Sequence, residues 1–172
     1  MNELPLHAGL TADFITARFA DFPLLAAENN ALLEKVRRIT AWLRQQGVRK
    51  KSLIISLFPP DKTWIALDIA ILRCGAIHVP FHNAEEVSSA TGYFEKYFFI
   101  VHPDLKCETD TKGNPIISTD LPDEFLKHFS AEESVENKAA SVNPSDTAEI
   151  IFSYNNDSEI KPFAISHENL LK

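Results

Sequence analysis

His78 and His82 stand four residues apart, a spacing that on a helix turns two imidazoles toward one metal ion. Here they fall in and just after Ala76–Phe81 (AIHVPF), an apolar run with Pro80 near its end. That run reads as a strand, so the two rings need not converge, and no metal site is expected. Ser153 and Ser166 carry hydroxyls, but no His and acid are placed around them by a nucleophile motif. A Gly-x-Ser-x-Gly elbow is absent, and no catalytic residue is expected. The densest polar group is Ser153–Lys161 (SYNNDSEIK), which holds hydroxyls, amides, two acids and one lysine between two apolar runs. By residue type alone it reads as a hairpin turn, because Asn and Asp tolerate left-handed backbone and hydrogen-bond their own chain. Only five glycines are spread along the chain, and they form neither a Gly-x-Gly-x-x-Gly nor a Walker loop.

The elements around these residues alternate. Thr11 to Asp13 can cap a short helix through Phe19. A longer helix is expected from about Glu28 to Gln46. There Leu32, Val36, Ile39 and Leu43 form one apolar stripe, and Gly47 ends it. Ser52–Phe58 (SLIISLF) reads as a strand buried on both faces. Asp61 then caps a helix over Lys62–Cys74 that is apolar almost all round, and Gly75 closes it. Ala76–Phe81, a helix over Glu85–Glu95 and a strand over Lys96–His102 follow. Strand, helix, strand, helix, strand at these lengths implies crossover units on a parallel sheet. Pro115–Thr119 is expected as a short edge strand, Leu121–Phe129 as a short helix and Ala131–Pro144 as an exposed polar linker. Thr147–Tyr154 and Lys161–Ser166 can pair as a hairpin, and a last helix starts near His167. The aromatic group Tyr93, Phe94, Tyr97, Phe98 and Phe99 reads as core, with an acyl pocket as the functional alternative. The expected fold is a single α/β domain over residues 1–172: three layers, a largely parallel sheet and helices on both faces.

Composition narrows the function. The chain is 45% apolar and 24% charged, which suits a soluble globular domain. Its net charge of −7 repels phosphate backbones, so nucleic acid is not an expected partner. The basic group Arg49-Lys50-Lys51 reads as the solvated end of the long helix. The longest apolar stretch, Trp64–Phe81, contains Asp68, Arg73 and Pro80 and is no membrane span. No leader pattern stands at the N-terminus, and the two cysteines, Cys74 and Cys107, match neither a disulfide framework nor a metal spacing. A reduced, cytoplasmic setting is expected.

Two stretches carry a resemblance. Trp64–Phe81, WIALDIAILRCGAIHVPF, resembles the segment of adenylate-forming enzymes in which an apolar helix ends at Gly-Ala and leads into a Val-Pro strand. Asp146–Leu171, DTAEIIFSYNNDSEIKPFAISHENLL, resembles the phosphate-loop region of the same superfamily, of which the acyl-CoA synthetases are nearest. The resemblance implies the fold of that superfamily's N-terminal part. It places Phe152 at an aromatic position, Ser153 at a hydroxyl position, Asn155, Asn156 and Ser158 in the phosphate loop, Lys161 on the family lysine, and His167 and Asn169 at the next helix start.

The departures from that pattern matter more. Asn155 and Ser158 stand where glycines are expected, and Pro162 takes a third glycine position. Tyr154 is too large for close approach to a phosphate. Asp157 and Glu159 bring negative charge where a triphosphate would lie; one such contact at about 4 Å costs roughly 4 kcal/mol at an effective dielectric near 20. The resemblance therefore implies a vestigial or truncated acyl-CoA synthetase-like domain, a pseudoenzyme without cofactor of its own. ATP with Mg2+, and CoA, are expected only if the segment belongs to a complete acid–CoA ligase, which is the first alternative. The second alternative is an interaction module that self-associates or docks a protein through uncovered sheet edge.

Overall fold

The computed structural model describes residues 26–107, 111, 113–132, 139–154 and 160–170. The expected helix over residues 11–19 lies outside them. Helix α1 spans Ala26–Gln45, β1 Leu53–Leu57, α2 Lys62–Arg73, β2 Ile77–Phe81, α3 Ala84–Thr91 and β3 Phe98–Val101. Strand β4 (Ile116–Ser118), the one-turn helix α4 (Asp123–Leu126), β5 (Thr147–Tyr154), β6 (Ile160–Ser166) and α5 (His167–Leu170) complete the described elements.

The strands form one sheet in the order β4-β3-β1-β2-β5-β6. Every neighbouring pair is parallel except the terminal β5–β6 hairpin. Strand β1 lies at the centre because Ile54, Ile55 and Leu57 are fully buried and need cover on both faces. The period of two sends Ile54 to one face, against Val36, Ile39, Leu43, Leu67 and Ile71 of α1 and α2. Ile55 and Leu57 go to the other face, against Val79, Phe81, Val87 and Phe99, with α3 as cover. The result is the expected three-layer α/β arrangement with a largely parallel sheet.

Local chemistry sets the ends of α2. Asp61 accepts the backbone N–H of Trp64 at 2.8 Å, satisfying one donor of the first turn. At the other end Gly75 takes φ +66°, where a Cβ would stand 3.0 Å from Ala140 Cβ and 3.1 Å from Val142 Cγ1. That approach corrects one expectation. The far end of the expected linker, residues 139–144, does not hang free: Ala140 N–H donates to Arg73 O at 2.9 Å and Val142 is buried. Two small apolar side chains suffice to seat the segment over a glycine. Helix α3 also ends earlier than expected, at Thr91, where Gly92 begins a turn toward β3.

The crossover order reverses beside β1, the position where open α/β sheets commonly leave a ligand crevice at the strands' carboxyl ends. Here the aromatic rings of Phe58 and His102 meet edge-to-face there, 5.5 Å between centroids.

Candidate functional site

Of the expected phosphate segment, the described residues are the facing ends of β5 and β6. Ser153 and Lys161 are direct register partners on the antiparallel ladder, so the structure brings these two side by side, both exposed. Asn155, Asn156 and Ser158 lie outside the described residues. Below the tip, the hairpin has two unlike faces. Phe152 turns to the α3 side and packs against Phe81, Tyr93 and Phe94, with ring centroids 5.6, 5.6 and 6.1 Å away. Tyr93 O–H donates to the backbone carbonyl of Ile160 at 2.7 Å, fastening β6 to the end of α3. Of the aromatic group singled out in the sequence, Tyr97 and Phe99 are core, whereas Tyr93 and Phe94 serve this hairpin.

The opposite face carries Glu149, Ile151 and Ser153, with Ile165, Phe163 and Lys161 across the ladder. Ile151 is 41% exposed and Phe163, its register partner, 52% exposed, so apolar side chains stand together in solvent.

At the base of the hairpin, Asp146 is a clamp. Its carboxylate accepts the N–H of Asn143 at 2.9 Å and pairs with Lys50 at 3.2 Å and Lys51 at 3.7 Å. The Asn143 N–H first, then Lys50, hold that carboxyl below the usual range. Its backbone carbonyl accepts the N–H of His167 at 3.1 Å, tying the start of α5 to the start of β5. Burial pushes the His167 imidazole below its ordinary value, partly offset by Asp146.

A second polar constellation was not foreseen. Ser56 of β1 and His78 of β2 are both fully buried, with Ser56 Oγ 2.7 Å from His78 Nε2. Nδ1 of the same ring is 2.6 Å from Asp68 Oδ1 of α2. Glu149 of β5 is the parallel register partner of His78 and completes the group. Burial, then the charge of Asp68, raise the Glu149 carboxyl from 4.5 to about 7, with His78 acting against them. The order serine, histidine, aspartate matches a nucleophile relay, but Ser56 sits at 0% exposure between sheet and helix, where no acyl carbonyl can reach its Oγ. The signal in the sequence was available: Asp68 interrupts a helix that is otherwise apolar all round, and Glu149 interrupts an apolar strand. His82, paired with His78 by spacing, lies elsewhere, its ring 5.0 Å from Trp64 and its Nδ1 2.8 Å from the carbonyl of Phe58.

No protein-family sequence model matches the chain, and no curated protein matches it in sequence. Solved structures match its fold. The N-terminal domain of FACL13 from Mycobacterium tuberculosis, solved with an inhibitor, superposes with a TM-score of 0.65 over 81% of this chain at 19% identity. The fold is that of the N-terminal part of an acyl-CoA synthetase. MatB from Rhodopseudomonas palustris is similar over 96% of this chain, with a TM-score of 0.69 and 15% identity, and has also been solved with ATP bound. A long-chain-fatty-acid–CoA ligase, FadD1 of Archaeoglobus fulgidus, gives a TM-score of 0.64 at 18% identity over 81% of this chain. The chain spans only 37%, 36% and 30% of those three structures, respectively. Among the described residues no helix is long and apolar enough to cross a membrane.

Proposed function

We propose that these 172 residues form an acyl-CoA-synthetase-like N-terminal domain of vestigial type, which neither cradles ATP at the β5–β6 hairpin nor activates a carboxylic acid unaided. One observation carries the reading. By the sequence resemblance, the segment joining β5 to β6 corresponds to the glycine-rich phosphate loop of the acyl-CoA synthetases, and here it reads Asn155-Asn156-Asp157-Ser158-Glu159. Backbone N–H groups wrap a phosphate closely only where side chains are small, and two carboxylates oppose its charge. Ser153 and Lys161 contribute one hydroxyl and one cation at the strand ends, which offset part of that repulsion. The domain accordingly has no cofactor of its own and belongs in the cytoplasm.

The test is pyrophosphate–ATP exchange by the purified full chain, offered a panel of short, medium and long carboxylic acids with Mg2+. Exchange at the buffer background supports the reading, and acid-dependent exchange above it contradicts it.

The exposed neighbours Ile151 and Phe163 favour a second reading, in which these residues serve within a longer acid–CoA ligase whose further parts cover that face and supply the ATP, Mg2+ and CoA sites. An antibody raised to the domain separates the two. A native band near the 19.3 kDa of this chain favours the first reading, and one about three times larger, as the matched shares of solved ligases suggest, favours the second.

A further inference from the structure

We propose that Asp68, His78 and Glu149 are the protein ligands of a divalent transition-metal ion of the Zn2+ type. One carboxylate comes from helix α2, the imidazole from β2 and the second carboxylate from β5, so three separate elements converge. The ligating atoms all lie within 4.8 Å of one another. Around a tetrahedral ion with bonds of about 2.0–2.2 Å, neighbouring donor atoms stand about 3.4 Å apart. The 2.6 Å between His78 Nδ1 and Asp68 Oδ1 therefore opens by under about 1 Å, and the widest separation closes by about 1.4 Å. Adjustments of that size lie within the side-chain torsions of Asp68 and Glu149, both of which are only partly buried.

The surroundings suit a cation. His78 is fully buried, and its Nε2 meets Ser56 Oγ. In the metal-free chain Nδ1–H donates to the Asp68 carboxylate and Nε2 accepts from the Ser56 hydroxyl. An ion takes the place of the Nδ1 proton, and Nε2–H then donates to the same hydroxyl, the outer hydrogen bond that orients a metal-bound imidazole. Two carboxyl groups face the one imidazole, and a bound cation takes them in their ionised form. Among the described residues no lysine or arginine is ion-paired with Asp68 or Glu149. The partial exposure of both carboxylates gives the ion a way in from the uncovered side of β5, and leaves its fourth position to water. The donor set selects the metal class: an imidazole nitrogen with only two carboxylates suits Zn2+ or Co2+, whereas Ca2+ takes six to eight oxygens. The site does not depend on the hairpin tip or on ATP.

The experiment uses the full chain, freed of metal with a chelator and exchanged into chelator-free buffer at about pH 7.5, where free carboxylates and most imidazoles are deprotonated. Zn2+ is titrated by calorimetry, and Co2+ by its visible absorption, which is intense only for four- or five-coordinate ions. The expected result is one equivalent bound with a raised melting temperature, and at least about tenfold weaker binding in Glu149→Gln, a shape-preserving variant that removes one ligand charge. His82→Ala, whose ring lies elsewhere, should bind as the wild type does. Absence of saturable binding by the folded wild-type chain would overturn the proposal. So would binding unchanged in Glu149→Gln and Asp68→Asn, which would place the ion on other residues. Should a variant fail to fold, the wild-type titration and the Co2+ spectrum still decide, since an octahedral, weakly absorbing complex also rejects this donor set.

Discussion

Ser56→Ala removes one oxygen from the centre of the sheet and tests whether the buried polar group is a structural network. The 2.7 Å bond to His78 joins two side chains with no exposure, so neither partner has water to fall back on. Deleting the hydroxyl leaves Nε2 of His78 buried and unpaired, at a desolvation cost of about 1–3 kcal/mol, while the space vacated is that of a single hydroxyl and adds little. For a chain of this size each kcal/mol shifts the melting temperature by roughly 2–4 °C, so a loss near 2 kcal/mol predicts a fall of roughly 4–8 °C. Thermal and urea unfolding followed by circular dichroism, with chelator present, measure it. Ser89→Ala on the exposed face of α3 is the control and is expected within about 0.5 kcal/mol of wild type. Coupling between Ser56→Ala and Asp68→Asn should also be non-additive, because both substitutions act on one imidazole. A Ser56→Ala chain as stable as the control would refute the reasoning, since a satisfied buried hydrogen bond cannot be removed from one side at no cost.

Further outcomes follow from single contacts. Asp61→Ala removes the cap on Trp64 N–H and should cost about 1 kcal/mol, read from urea midpoints. Gly75→Ala meets both a positive φ and contacts of 3.0 and 3.1 Å, so a loss of about 1–3 kcal/mol is expected, lessened by Val142→Ala, which clears one of them. His167 has a folded value below its ordinary 6.5, so the unfolded chain takes up its proton first. Its contribution is complete above about pH 6.5 and is lost as pH falls below that; His167→Gln should flatten that limb of the stability–pH curve. Burial raises the Cys74 thiol to about 11, so Cys74 should resist alkylation at neutral pH in the native chain and react on unfolding, as mass spectrometry would read.

The elements were legible because their signals are local. The stripe Leu32, Val36, Ile39 and Leu43 commits one face of α1, and the β-branched run at residues 52–58 commits the central strand, without knowledge of any distant residue. Asp61, Gly47 and Gly75 mark boundaries by backbone chemistry alone. What stayed hidden depends on contacts across the sequence. The packing of Ala140 and Val142 over Gly75 joins residues more than sixty positions apart, which no local pattern announces. The Ser56, Asp68, His78 and Glu149 group spans four elements, and only the strand register sets His78 beside Glu149. Each member alone reads as an oddity in an apolar run. The hairpin was foreseen by its two β-branched segments, whereas its unlike faces, Phe152 in a nest of rings and Phe163 in water, needed the neighbouring strands to be placed.

The vestigial reading is tested most directly by calorimetric titration of ATP with Mg2+ into the full chain. The account predicts no saturable heat up to about 1 mM nucleotide, a limit corresponding to a binding free energy weaker than about −4 kcal/mol. Saturable binding that is abolished in Lys161→Ala would contradict it, and would mean that the hairpin holds a triphosphate despite Asp157, Glu159 and the missing glycines.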